Sequence, residues 1–312
     1  MKIRFSIATA LLISALVVSV HAQQSKEPQN KTIKVDVDLT IVNATVLERQ
    51  QGRVVTDLRP EDFEVWEDRI QQSIEYFSEE DVPISLGIIF DISGSMKEKL
   101  PVARDAAVAF LKTGNPDDEY FLVEFNNRAQ VTQDYTTDIS RLQNKLLFTP
   151  SSGTTALFDA VYLGLQKLQD ASNTKKALLL ITDGEDNRSR YSFANVRDFI
   201  KEQDVELFAI GIVTYNSELG MGRTGRALIE ELTDLTGGRA FFPESIYELP
   251  DICTKIAIEL KNQYVLGYRS TNDIKDGKWR KISLKVHPPA GMPEMIVRGK
   301  SGYYAPVGNG KR

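Results

Sequence analysis

The sequence predicts a doubly wound, mostly parallel α/β sheet inserted into a small discontinuous β-sandwich. Three observations carry this reading. The segment Ile84-Ser-Leu-Gly-Ile-Ile-Phe-Asp91 is a near-continuous apolar run, the kind found in strands covered on both faces. Apolar strand-like runs then alternate with helix-length stretches as far as Lys261, the pattern of repeated βαβ units. On either side of that region the apolar residues fall back into short alternating segments, the period-two signature of half-buried strands.

Composition bounds the function. The chain has 312 residues, 42% hydrophobic and 26% charged, which places it among globular proteins. One cysteine, Cys253, and two histidines, His21 and His287, exclude an internal disulfide, a Cys/His zinc cluster and most histidine-dependent chemistry. Lys2 and Arg4 precede an uncharged run from Phe5 to Val20, and Val20-His21-Ala22 has small residues where a signal peptidase cuts. Residues 1–22 therefore read as a secretory signal peptide, too short in its apolar part to span a bilayer as about 20 residues would. A secreted or periplasmic location follows, with no membrane span after cleavage. Cleavage removes two basic and no acidic residues, so the net charge moves from −5 to −7. With no basic block, nucleic acid is excluded as the expected partner.

Residues 23–31 are polar and aperiodic, a flexible leader. The first β part, 32–82, begins with Ile33, Val35, Val37, Leu39 and Ile41 alternating with mostly polar residues, then offers strands around Gly52–Val55, Phe63–Trp66 and Ile74–Phe77. The α/β part, 84–262, contains strands at Ile84–Asp91, Tyr120–Phe125, Ala177–Thr182, Val205–Val213 and Ala240–Phe242. Its helices are expected at Lys97–Leu111, Ile139–Leu147, Ala156–Leu168, Asn195–Gln203, Arg226–Leu235 and Tyr247–Lys261. Residues 263–306 return to β texture, with Tyr264–Tyr268, the alternating Ile282, Leu284 and Val286, then Met295–Val297 and Gly302–Tyr304; 307–312 is a tail. Neither flank is long enough to hold a core alone without staples this chain lacks, so the two are expected to form one domain around the insert.

The chemistry sits in one loop. Asp91-Ile-Ser93-Gly-Ser95-Met96 leaves the carboxyl end of the first buried strand, the edge where open α/β sheets bind ligands. Asp91, Ser93 and Ser95 offer oxygen donors at alternate positions of a tight turn, which suits a hard divalent cation. Thr155, in Ser151-Ser-Gly-Thr-Thr-Ala156, and Asp183, at the end of Ala177–Thr182, are expected on the same edge. An Asp-x-Ser-x-Ser segment alone is more often a turn or helix cap; the later Thr and Asp shift the balance to metal.

These residues resemble the von Willebrand factor type A (VWA) domain and its metal-ion-dependent adhesion site (MIDAS): Asp-x-Ser-x-Ser, a later Thr, a later Asp. The resemblance covers about residues 84–262, and the flanks look like those of secreted bacterial proteins of the VWA-related group. It implies a Rossmann-like fold, a divalent cation (Mg²⁺ first, Mn²⁺ or Ca²⁺ as alternatives) held by Asp91, Ser93, Ser95, Thr155 and Asp183, and an open coordination position that accepts an Asp or Glu carboxylate of a protein partner. It implies a non-enzymatic role in adhesion or assembly. Met96, Ser152, Arg188, Tyr191 and Tyr215 are candidates for the rim.

Two other functions compete. A Mg²⁺-dependent phosphatase or hydrolase could be built on Asp91, but the second acid such enzymes carry two positions on is here Ser93. A structural envelope component could use the metal as a fold staple. Gly220-Met-Gly222-Arg-Thr-Gly225 matches the dinucleotide fingerprint, with Glu244 near the ribose-binding distance, yet it neither follows a strand directly nor opens the first βαβ unit.

Overall fold

In chain order the N-terminal flank supplies β1 (Thr40–Glu48), β2 (Phe63–Glu67), β3 (Ile70–Gln72) and β4 (Ile74–Ser78). The insert follows with β5 (Ile84–Asp91), α1 (Leu100–Leu111), β6 (Glu119–Phe125), β7 (Ala129–Thr136), α2 (Ile139–Phe148), α3 (Leu157–Lys167), β8 (Lys175–Thr182), α4 (Phe193–Lys201), β9 (Glu206–Gly211), α5 (Arg223–Thr236), β10 (Ala240–Phe241) and α6 (Leu249–Lys261). The C-terminal flank adds β11 (Tyr264–Tyr268), β12 (Trp279–Val286), β13 (Met295–Gly299) and β14 (Gly302–Tyr304). The computed structural model describes residues 39–79, 81–212 and 222–308. The expected signal peptide and leader, the first part of the strand expected at Ile33–Ile41, and Val213, Tyr215 and Gly220 lie outside the described residues.

The insert is a six-stranded sheet in the order β10-β9-β8-β5-β6-β7, parallel except for β7. All eight residues of β5 are buried, because helices cover both faces. One face packs Leu86, Ile88 and Phe90 against α1, α2 and α6, with Cys253 in that core. The other packs Ile89, Phe121 and Leu178 against α3, α4 and α5. Gly87 has no side chain because a Cβ there would stand 2.2 Å from the Phe121 ring. The chain runs from β5 outward to β6 and β7 and then returns to place β8 on the other side of β5. That reversal is the topological switch point, and it opens a crevice at the carboxyl ends of β5 and β8.

The flanks form two four-stranded antiparallel sheets, β13-β1-β11-β4 and β14-β12-β2-β3. Neither is complete without strands from both sides of the insert: β1 lies between β11 and β13, and β2 pairs with β12. Val42, Ala44, Tyr264 and Leu266 of the first sheet pack against Phe63, Val65 and Ile282 of the second. The Phe63 and Tyr264 rings meet at 5.0 Å between centroids.

Several expected boundaries move, for identifiable reasons. The helix expected from Lys97 begins at Leu100, because Pro101 is tolerated in a first turn, where its missing N–H has no partner to lose; Gly94–Met96 makes a 3₁₀ turn ahead of it. The strand expected at Gly52–Val55 is reduced to a single bridge between Val54 and Leu47, since Gly52 takes φ +63° and its N–H turns back to the Glu48 carbonyl at 2.8 Å. β3 and β7 were not expected at all. No helix among the described residues is long and apolar enough to cross a membrane.

Candidate functional site

Three loops meet at the switch point. The first is 92–99, after β5; the second, 149–156, joins α2 to α3; the third, 183–192, follows β8. They are stitched by backbone bonds: Ile92 N–H donates to the Phe125 carbonyl at 2.9 Å, Ser152 N–H to the Ile92 carbonyl at 2.9 Å, Gly94 N–H to the Gly153 carbonyl at 3.0 Å, and Asn187 N–H to the Thr155 carbonyl at 3.0 Å. Asn187 returns the bond by accepting Thr155 N–H on its side-chain oxygen at 2.9 Å. Gly153 takes φ +83°, and a Cβ there would come within 2.5 Å of the Asn127 side-chain oxygen, which accepts both the N–H and the hydroxyl of Thr154 at 2.7 Å. Only glycine fits this corner without strain.

The expected site residues are distributed over these loops. Asp91, Ser93, Thr155 and Asp183 are buried, and Ser95 is exposed at the mouth. Ser93 Oγ lies 3.1 Å from Ser95 Oγ, and Ser95 Oγ donates to Asp183 Oδ1 at 2.7 Å. Thr155 of the second loop lies beside the third: a Cβ on Gly184 would stand 3.5 Å from Thr155 Oγ1, an ordinary packing distance. Asp91 accepts Ser93 N–H on Oδ1 at 2.8 Å.

Burial pushes the Asp91 carboxyl up to about 6; the negative charge of Asp183 adds to that, while bonds from Thr182 and Ser93 oppose it. Two buried carboxylates close together thus lack a full complement of positive charge. Adjacent oxygen ligands of an octahedral ion at 2.0–2.1 Å sit about 3 Å apart, and the separations in the Ser93, Ser95, Asp183 series match that spacing. The five residues expected to hold an ion offer only oxygen, two carboxylates and three hydroxyls, a donor chemistry that suits a hard divalent cation. Among the described residues no three or more His, Cys, Asp or Glu side chains gather as a metal-holding group.

Two residues at this centre escaped the sequence reading. Thr182 Oγ1 donates to Asp91 Oδ2 at 2.6 Å, and the Lys99 ammonium bonds Asp183 Oδ2. Thr182 ends an apolar run and reads as a strand residue; Lys99 reads as a helix-surface charge. Of the rim candidates, Ser152, Arg188 and Tyr191 are exposed, the Tyr191 ring stacking on Tyr162 with centroids 3.9 Å apart. Met96 is not on the rim: it is fully buried and packs with Leu100 and Phe90 in the core beneath the loop, because the 3₁₀ turn points the apolar side chain inward. Tyr215 lies outside the described residues. The glycine-rich segment is also accounted for. Glu185 Oε1 accepts the N–H groups of Gly222 and Gly225 at 2.7 and 3.3 Å, so an acidic side chain caps the N-terminus of α5 where the dinucleotide reading needs a pyrophosphate.

A doubly wound α/β domain with an oxygen-lined crevice at its switch point is the class of protein these features define. The sequence matches the von Willebrand factor type A domain over residues 86–255, more than half of the chain, and the chain belongs to that family. Among solved structures it is similar to a von Willebrand factor type A protein from Catenulispora acidiphila, with 12% identity, a TM-score of 0.50, and coverage of 88% of this chain and 76% of that one. It is also similar to proximal thread matrix protein 1 from the mussel byssus with a zinc-occupied MIDAS motif, with 15% identity, a TM-score of 0.50, and coverage of 62% of this chain and 50% of that one. BatB from Bacteroides thetaiotaomicron aligns with 16% identity and a TM-score of 0.45 over 57% of this chain and all of that one. Comparison with curated proteins found no match.

Proposed function

We propose that this chain is a secreted or periplasmic, non-enzymatic VWA protein that binds a protein partner through a divalent cation. Asp91, Ser93, Ser95, Thr155 and Asp183 would hold the ion, Mg²⁺ by preference. Bound there, the ion supplies an electrophilic centre that a partner's Asp or Glu carboxylate can join. The single observation that carries this reading is the meeting of hydroxyl and carboxylate oxygens of Ser93, Ser95 and Asp183 from two loops at ligand-to-ligand spacing, with Ser95 exposed and the Thr155 loop bonded to both. The residues around the ion set its character: three neutral hydroxyls leave its charge less neutralised than carboxylates would, and the exposed mouth leaves room for a partner.

The family supports this reading, since its members serve widely in adhesion and assembly. Hydrolysis through Asp91 has less support, because position 93 is a serine rather than the second acid such enzymes carry.

The test is isothermal titration of the chain lacking residues 1–22 with Mg²⁺, Mn²⁺ and Ca²⁺, repeated on Ser93→Ala and Asp183→Ala, alongside a pull-down from envelope extract with and without chelator. Saturable binding lost in both variants, with a chelator-sensitive partner, is the expected result. Stabilisation by the metal with no partner captured would instead favour the staple reading, and no binding to the unsubstituted chain would overturn the metal site.

A further inference from the structure

We propose that Lys99 sets the net charge of the site, holding back the divalent cation and strengthening the hold on the partner's carboxylate. The inference rests on the metal site proposed above and adds a residue outside its donor set.

Lys99 sits at the N-cap of α1, where a positive charge opposes the helix dipole. Its placement is therefore explained by something other than the helix, and that is Asp183: the ammonium bonds Oδ2 while Ser95 holds Oδ1. The pair is well shielded, with side-chain exposure of 18% for Lys99 and 0% for Asp183. Among the described residues Lys99 is the one cation within ion-pair distance of either site carboxylate. The other bonds received by Asp91 and Asp183 come from the backbone N–H of Ser93 and the hydroxyls of Ser93, Thr182 and Ser95. Neither hydroxyl nor amide changes the charge of the site.

The consequence follows from counting charges. Asp91 and Asp183 with Lys99 leave one net negative charge before a divalent ion enters and one net positive charge after it. A single incoming carboxylate then brings the loaded site to neutrality. Without Lys99 the empty site carries two negative charges, the loaded site none, and the incoming carboxylate meets no net attraction. In a poorly solvated crevice a unit charge a few ångströms away changes an ion's affinity on the order of tenfold or more. Lys99 thus works against the metal and in favour of the anion. That pair of opposite effects separates it from a residue that merely supports the loop, whose loss would weaken both.

The experiment uses the chain lacking residues 1–22 and its Lys99→Met and Lys99→Arg variants. Mg²⁺ affinity is measured calorimetrically, and acetate is titrated into the Mg²⁺-saturated protein while the amide resonances of the Asp91–Lys99 loop are followed. The expected result is that Lys99→Met binds Mg²⁺ about tenfold more tightly and acetate about tenfold more weakly, while Lys99→Arg, which keeps the charge, stays near the unsubstituted values. Should Lys99→Met misfold, Lys99→Gln replaces it with the same expectation. If the unsubstituted chain binds Mg²⁺ and the neutral variants bind it no more tightly, or bind acetate equally well, the role assigned to Lys99 is overturned and the metal site stands. If the unsubstituted chain binds no divalent cation, the site and the role fall together.

Discussion

Thr182 Oγ1 donates to Asp91 Oδ2 at 2.6 Å, tying the ends of two adjacent parallel strands through a carboxylate that is itself fully buried. Thr182→Val keeps the shape and β-branching of the side chain but leaves that oxygen without its donor. A buried acceptor deprived of its partner costs about 1–3 kcal/mol. Urea unfolding in chelator at neutral pH should show a loss of that size for Thr182→Val and little change for Thr182→Ser. A neutral Thr182→Val would mean that water replaces the hydroxyl.

Gly153 and Gly184 make a contrasting pair. At Gly153 an alanine must accept φ +83° and drive its Cβ to 2.5 Å from the Asn127 oxygen, breaking the bonds that hold the Thr155 loop. Gly153→Ala is expected to cost about 1–3 kcal/mol of stability and to weaken Mg²⁺ binding. At Gly184 the nearest contact of a new Cβ is 3.5 Å, an ordinary packing distance, so Gly184→Ala should leave folding stability within about 0.5 kcal/mol. Thermal unfolding and Mg²⁺ titration of the two variants check both expectations.

The contrast between what was legible and what was not follows from which side chains the environment dictates. Strands buried on both faces announce themselves, because every position in Ile84–Asp91 must be apolar or small, and the loop after such a strand is easy to place. The edge strand β7 carries no such mark: half its surface is solvated, Val131 is 37% exposed, and its pairing with β6 is irregular, so its hydrophobic alternation is broken. The strand expected at Ile33–Ile41 shows the complementary error. β1 spans Thr40–Glu48 and puts Val42, Ala44 and Val46 in the core, the face opposite to the one that the alternation ending at Ile41 marks. In the candidate site, Asp91, Ser93 and Ser95 are suggested by local spacing, Asp183 by a strand end, and Thr155 by its place just before a helix and the family resemblance. Thr182 and Lys99 act through contacts across 91 and 84 positions, for which a single sequence carries no signal.

Glu67 ties the two flanks through side chains rather than strands. It is buried, and it accepts the hydroxyls of Tyr268 at 2.8 Å, Tyr303 at 2.9 Å and Ser270 at 2.5 Å. Glu67 comes from the N-terminal flank and all three donors from the C-terminal flank. Tyr268→Phe should cost about 1–3 kcal/mol, because one donor to a buried carboxylate is lost. The double variant Tyr268→Phe/Tyr303→Phe should cost more than the sum of the single changes, since Oε2 then keeps neither tyrosine donor. A double-mutant cycle by denaturant unfolding measures that excess; strict additivity would show that the two hydroxyls act independently.

Two carboxylates should tilt the pH dependence of stability in opposite directions. Burial raises the Glu206 carboxyl above its ordinary 4.5, against opposing contributions from Lys175, Gln263 and Asn43. The folded state therefore holds this proton longer than the unfolded one, so the contribution of Glu206 is complete below about pH 4.5 and declines as pH rises through the folded value. Glu64 is the reverse case. The Trp66 indole and the His287 ring, with Lys285 alongside, lower its carboxyl from 4.5 to about 2. Its contribution is present above pH 4.5 and is lost as pH falls towards 2. Glu206→Gln should flatten the decline in stability above pH 4.5 and leave the acid limb unchanged; Glu64→Gln should flatten the acid limb and leave the neutral range unchanged. Unfolding free energies measured from pH 2 to 8 on the chelated protein resolve the two windows. A Glu206→Gln curve parallel to that of the unsubstituted chain above pH 4.5 would mean that this glutamate titrates alike folded and unfolded, and that the Lys175 charge and its other partners offset its burial.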